Sequence, residues 1–121
     1  MKNTLVMAFL GDAIYELFIR EHLISTGINN VNELQKRSVD FVSAKSQRRH
    51  LERLITSDFL SEEEIDLVHR GRNAKGGKSK SSDIVTYRIA TGLECLLGAL
   101  YLDKKDERIK EIMEFIIGGN E

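Results

Sequence analysis

Several features common in proteins are scarce in this chain of 121 residues. It contains no proline, and neither a low-complexity tract nor an internal repeat is found. The single cysteine, Cys95, rules out a disulfide within the chain, and its apolar surroundings predict a buried thiol in a reducing compartment. No apolar run approaches the ~18 residues of a membrane span. The first residues do not resemble a secretory signal, so the expected location is the cytoplasm.

The length and composition predict an ordinary globular protein. A chain of this size is expected to form one domain, residues 1–121, around a single core. Hydrophobic residues make up 41% of the chain and charged residues 31%, which is typical of a soluble protein. The net charge of −1 argues by itself against binding to nucleic acid.

Positive charge is nevertheless concentrated in two stretches. Residues 70–80 carry basic side chains and no acid, and residues 45–53 carry four basic side chains against one acid. Such segregation can create a basic face on a nearly neutral protein, although for either stretch alone a solvated loop or helix surface is favoured. The candidate nucleic-acid-binding residues are Arg70, Arg72, Lys75, Lys78, Lys80, Lys45, Arg48 and Arg49.

Apolar periodicity predicts an all-α protein with no convincing strand. The predicted helical segments are 3–24, 31–56, 61–73, 84–102 and 105–117. The predicted helix caps are Asn30, Ser61 with Glu64 as a capping box, and either Ser82 or Asp83. The apolar pattern of the second segment weakens between Ser43 and Gln47, so this segment is either two helices or one bent helix.

Two carboxylates occupy positions on predicted apolar helices. Asp12 follows Gly11 in "MAFLGDAIYELFIR", and Glu94 lies four residues before Gly98 in "TGLECLLGALYL". Glycine costs roughly 1 kcal/mol against alanine inside a helix, and an unpaired carboxylate beside a buried face costs more. If the first and fourth predicted segments pack together, the two acids could face each other and hold one Mg²⁺.

Simpler explanations exist for each acid, and the pattern alone favours them. Asp12 could be the N-terminal cap of a second helix within the first segment. Glu94 could pair with Arg88 or Arg20. Glu16 lies four residues before Arg20, so these two side chains are expected to form a structural ion pair.

The two acids lie in motifs that resemble the ribonuclease III family. The stretch "FLGDAIYELFIR" is similar to the family's signature helix, whose core is F-L-G-D, and "ATGLECLLGALYLD" is similar to its later E-A-L-I-G-A helix. "HRGRNAK" and "VTYRIATGLE" resemble the Mini-III subgroup, which has the catalytic domain without a double-stranded-RNA-binding domain. The resemblance covers nearly the whole chain.

This resemblance implies an all-α endonuclease fold and a homodimer. It also implies Mg²⁺-dependent hydrolysis of double-stranded RNA with a staggered cut that leaves 5′-phosphate and 3′-hydroxyl ends. By motif, Asp12 and Glu94 match the catalytic, metal-binding carboxylates, and Phe9 matches an aromatic residue that inserts into the partner subunit. For the Mini-III subgroup it implies maturation of 23S ribosomal RNA precursors, with a ribosomal protein as a further candidate partner. The alternative function is a non-catalytic helical RNA-binding or ribosome-assembly module.

The sequence departs from the larger family members at three acidic positions. Ala8 and Leu5 stand where those enzymes have glutamates before the aspartate, and Thr91 replaces an acid before the later glutamate. The predicted site therefore has fewer carboxylates, which leaves the number of metal ions open and predicts a weaker metal affinity.

Overall fold

The computed structural model describes residues 3–74 and 83–119, and within these ranges every regular element is an α-helix. The helices are α1 (Thr4–Ser25), α2 (Val31–Val42), α3 (Ala44–Thr56), α4 (Glu62–Asn73), α5 (Ile84–Leu102) and α6 (Asp106–Gly118). The all-α prediction is confirmed. The second predicted segment is two helices rather than one bent helix.

Ser43 is the residue that separates α2 from α3. Its backbone is extended, with φ −63° and ψ 152°, so α2 ends there. Its hydroxyl accepts a hydrogen bond from the Ser46 backbone N–H at 3.2 Å and thereby caps α3. The other predicted caps are also confirmed. Asn30 caps α2, Ser61 forms a capping box with Glu64 at the start of α4, and Asp83 caps α5.

The central helix of the fold is α5. Ten of its 19 residues are buried, because α1, α3 and α4 all pack against it. Within the described parts of the chain, α5 is also the one helix long and apolar enough to cross a membrane by length and composition. Its place in the protein core accounts for that apolar composition. Cys95 lies fully buried on this helix, as predicted, and burial raises the pKa of its thiol to about 11.

Two glycines allow α1 and α5 to approach until their backbones touch. A Cβ atom at Gly11 would overlap the backbone carbonyl of Glu94 on α5. A Cβ atom at Gly98 would overlap the backbone carbonyl of Met7 on α1. The interpretation of Asp12 as a helix cap is wrong, since α1 continues through it without a break. The glycine next to Asp12 is needed for the contact between helices and not for a turn.

We expect Gly98→Ala to lower the free energy of unfolding by about 2 kcal/mol or more, because the added methyl group forces the two backbones apart. Gly118→Ala is the matched control, since no described atom outside its own helix backbone and chain neighbours lies within 4 Å of its added Cβ. That change should be neutral or slightly stabilising. Denaturant unfolding measures both variants, and an unchanged midpoint for Gly98→Ala would contradict the close α1–α5 contact.

Candidate active site

The α1–α5 crossing brings Asp12 and Glu94 together. Gly11 rests on the backbone of Glu94, so the next residue of α1, Asp12, projects beside the Glu94 side chain. The two carboxyl groups are close enough for Asp12 to raise the pKa of Glu94. Asp12 is exposed and Glu94 is partly buried, so the pair lies at the protein surface with one acid set deeper than the other.

The proximity of the two acids is electrostatically unfavourable. Burial raises the pKa of Glu94, and the charge and hydrogen bond of Asp12 raise it further, to about 8. Glu16, one turn along α1, acts in the same direction. A cation placed between the carboxylates would reverse this penalty, because it favours the ionised form of both.

The arginines considered as partners for Glu94 are engaged elsewhere or lie apart. Arg20 pairs with Glu16 at 3.3 Å, as predicted from their spacing. Arg88 is exposed and lines a surface groove together with Arg72. The side chains that shift the pKa of Glu94 are two acids and an amide, so the Glu–Arg interpretation of Glu94 is wrong.

The amide belongs to Gln47 of α3, which the sequence analysis did not identify as a site residue. Its Nε2 donates to Glu94 Oε2 at 3.5 Å and to the backbone carbonyl of Val42 at 3.2 Å. A signal was available in the sequence. Gln47 precedes Leu51 by four residues and Leu54 by seven, so it falls on the buried stripe of α3. A polar residue on an apolar face is the same anomaly that marked the two acids.

The positions at which larger family members carry further acids contribute no carboxylate here. Ala8 is buried against Met7 and Cys95. Thr91 is buried, and its hydroxyl donates to the Tyr87 carbonyl at 2.9 Å. Among the described residues no group of three or more His, Cys, Asp or Glu side chains is arranged to hold a metal.

A donor set of two carboxylates fits Mg²⁺. This ion prefers hard oxygen ligands, keeps several of its water molecules, and is typically held by one or two carboxylates together with substrate phosphates. Asp12 and Glu94 supply those carboxylates, and the exposed side of Asp12 leaves the pair accessible to water and substrate. The site is thus suited to a metal ion whose coordination is completed by solvent and phosphate.

A basic groove of about 620 Å³ lies between α3 and the first turn of α5. Lys45, Arg48 and Arg49 line it, together with Thr86 and Asp83. Arg48 donates to the Thr86 hydroxyl at 2.8 Å, which fixes its guanidinium against α5. It also pairs with the two acids of the groove, Glu52 at 3.3 Å and Asp83 at 4.0 Å. The same helix, α3, carries Gln47, which donates to Glu94. Helix α3 therefore connects this groove with the acid pair.

Of the remaining predicted basic residues, two lie on α4 within the described residues and three do not. Arg70 is exposed and pairs with Asp66 at 3.5 Å, and Arg72 is exposed at the end of α4. Lys75, Lys78 and Lys80 lie outside the described residues.

The predicted subunit-contact residue is unusually exposed for its type. Phe9 has 83% of its surface exposed, and Val6, one turn earlier on α1, has 55% of its surface exposed. It stands one turn before Asp12 on the same helix. Neighbouring exposed apolar side chains, such as Phe9 and Val6, are typical of a surface that another molecule covers.

Comparisons with known proteins show the family to which this chain is related. A sequence profile of the ribonuclease III domain matches residues 5–105. The Mini-ribonuclease 3 of Brevibacillus brevis is 50% identical over 115 residues, which make up 94% of this chain and 84% of that protein. The Mini-ribonuclease 3 of Desulfitobacterium hafniense is 47% identical over 107 residues, covering 88% of this chain and 67% of that protein.

The fold agrees as well. A crystal structure of a protein from Fusobacterium nucleatum superposes with a TM-score of 0.84 at 37% identity, covering 98% of this chain and 94% of that one. The match spans α1 and α5, the two helices that carry the paired acids. The chain therefore belongs to the ribonuclease III family of endoribonucleases.

Proposed function

We propose that this endoribonuclease hydrolyses double-stranded RNA with Mg²⁺ held by Asp12 and Glu94. The observation that carries the proposal is the pairing of these carboxylates at the α1–α5 crossing, where their mutual repulsion has no benefit for the fold. A bound Mg²⁺ would lower the pKa of a coordinated water and neutralise charge on the scissile phosphate. The products would carry 5′-phosphate and 3′-hydroxyl ends.

The residues of this chain would bind and orient rather than form a covalent intermediate. The Cys95 thiol is fully buried and its pKa is raised to about 11, so it is unsuited to attack a phosphate. Asp12 and Glu94 would hold the metal, and water would supply the attacking oxygen. The acid pair thus supplies position and charge, which is sufficient for metal-assisted hydrolysis.

The basic groove supports a duplex RNA substrate. RNA duplexes present phosphates and 2′-hydroxyls while their major-groove base edges are inaccessible, so recognition depends mainly on positive charge and shape. Lys45 and Arg49 on α3 supply that charge, together with Arg48, which also pairs with Glu52 and Asp83. Arg70 and Arg72 add basic side chains on α4. Binding of this kind is strongly salt-dependent.

The biological substrate we propose is the precursor of 23S ribosomal RNA, cleaved in the cytoplasm. The support is the likeness to Mini-ribonuclease 3 proteins over most of the chain. A ribosomal protein bound to the precursor is a candidate helper that would present the duplex.

We further propose that the active form is a homodimer formed around Phe9. The support is the exposure of this phenylalanine, together with that of Val6, on the same helix as Asp12. A twofold dimer would carry two equivalent acid pairs, one for each strand of a duplex.

Asp12→Asn and Glu94→Gln should each reduce cleavage of a duplex RNA by about 100-fold or more. Changing residues that only support metal ligands typically costs about 10–100-fold, and loss of a ligand itself should cost at least as much. Both substitutions keep the side-chain shape and remove the charge that binds the metal, so duplex binding should persist. Glu21→Gln, an exposed acid on α1, is the matched control and should cleave normally. Near-normal cleavage by either site variant would disprove its role in metal binding. Binding without cleavage by the unchanged protein would favour the non-catalytic alternative.

We expect Asp12→Asn to stabilise the protein in EDTA at pH 8. The pKa of Glu94 is about 8 in the fold against an ordinary 4.5, so the folded state retains a proton that the unfolded chain releases. Stability therefore falls as the pH rises from 4.5 to 8. Removing the Asp12 charge should reduce this loss in the free energy of unfolding by on the order of 1 kcal/mol.

Thermal unfolding in EDTA at pH 5 and pH 8 measures this effect, with Glu21→Gln again as the control. The gain from Asp12→Asn should be larger at pH 8 than at pH 5. An equal melting temperature for the variant and the unchanged protein at pH 8 would show that the two carboxylates do not repel each other in the fold.

Phe9→Ala should weaken the dimer by on the order of 2 kcal/mol, because a buried aromatic anchor is a typical interface hot spot. Sedimentation over a dilution series gives the dissociation constant. Ile24→Ala is the control, since this residue is also an exposed apolar side chain on α1 but lies at its other end. A dimer unaffected by Phe9→Ala would place the subunit contact elsewhere.

A further inference from the structure

Gln47 is a buried polar residue whose presence the packing of the core does not explain. Only 3% of its surface is exposed, and its neighbours along the buried stripe of α3 include Leu51 and Leu54. Its Oε1 is buried and has no hydrogen-bond partner among the described residues. An unpaired buried acceptor costs about 1–3 kcal/mol. A methionine would fill nearly the same volume without that cost.

The amide nitrogen of Gln47, Nε2, shows what this side chain contributes. Nε2 has two hydrogens and two acceptors, the carbonyl of Val42 at 3.2 Å and Glu94 Oε2 at 3.5 Å. Val42 is the last residue of α2, so the amide connects the α2–α3 junction to the acid pair. Because Nε2 can only donate, it interacts best with an ionised Glu94.

We propose that Gln47 is a positioning residue that holds the Glu94 carboxylate in the orientation in which it binds the metal. This inference rests on the proposed metal-dependent function. Glu94 has Asp12 and Glu16 as its acidic neighbours, whereas the amide of Gln47 donates a hydrogen bond to its carboxyl group at 3.5 Å. Without the amide, the Glu94 side chain would lose the donor that opposes repulsion by Asp12.

The competing explanation is purely structural: Gln47 would serve only to satisfy the last carbonyl of α2. The two explanations differ in what a substitution changes. A structural cap affects stability alone. A positioning residue also affects metal affinity, since partners outside the first coordination sphere typically contribute about 10–100-fold to it.

The test compares Gln47→Met with Ser46→Ala, using Mn²⁺ alone as the probe. Ser46 is the neighbouring residue on α3, is also buried, and accepts a hydrogen bond from the Ser43 hydroxyl at 3.0 Å at the same junction. Among the described residues, the hydrogen bond to Glu94 comes from Gln47 and not from Ser46. Free Mn²⁺ is measured by electron paramagnetic resonance in the absence of RNA. We expect Gln47→Met to bind Mn²⁺ about tenfold more weakly, and Ser46→Ala to bind it like the unchanged protein.

A kinetic measurement provides a second readout. In Gln47→Met the Mg²⁺ concentration that gives half-maximal cleavage should rise, while the cleavage rate at saturating Mg²⁺ should recover. If Gln47 only stabilises the α2–α3 junction, the rate should be lower at every Mg²⁺ concentration. Ser46→Ala, which removes a hydrogen bond at the same junction, should then lower the rate in the same way.

Asp12→Asn tests the proposed metal site separately from the positioning role of Gln47. If the unchanged protein binds Mn²⁺ and Asp12→Asn does not, the metal site is established. Equal Mn²⁺ affinity in Gln47→Met and the unchanged protein would then overturn the positioning role alone. If Asp12→Asn binds Mn²⁺ as well as the unchanged protein does, the proposed metal site and the role of Gln47 are both wrong.

Discussion

The contact between the backbones of α1 and α5 is the constraint on which the rest of the structure depends. It requires glycine on both helices, because a methyl group at Gly11 or Gly98 would overlap a carbonyl of the opposite helix. The apolar residues of α5 gain burial from this approach. Its position along the helices also decides the site, since Gly11 rests on Glu94 and thereby sets Asp12 beside that carboxylate.

The acid pair shows how a site can oppose the stability of the fold that builds it. Glu94 is partly buried beside two other acids, and its pKa is raised as a result. Gln47 adds a second penalty, a buried oxygen that has no partner in the described part of the chain. These costs fall on three helices at one point of the structure, and binding of a cation would compensate for them. Such clustering of unfavourable polar groups is typical of functional sites.

The short helix α3 links the two halves of the proposed chemistry. Its buried face carries Gln47, which contacts Glu94, and its other side carries Lys45 and Arg49 at the basic groove. Ser43 makes this arrangement feasible, because it ends α2 and caps α3 within one residue. The turn lets α3 start in a new direction, so that one helix borders both the acids and the surface proposed to bind phosphates.

The sequence alone determined most of the helices and their ends, because apolar periodicity, cap residues and capping boxes act within a few residues. It left open whether residues 31–56 form two helices or one bent helix. It also marked Asp12 and Glu94 as anomalies, and the family motifs assigned them a role. Only the tertiary structure decided that Gly11 serves a contact between helices, that Glu94 faces acids rather than arginine, and that Gln47 joins them. These facts depend on the angle and depth at which helices distant in sequence cross, and no local pattern encodes that geometry.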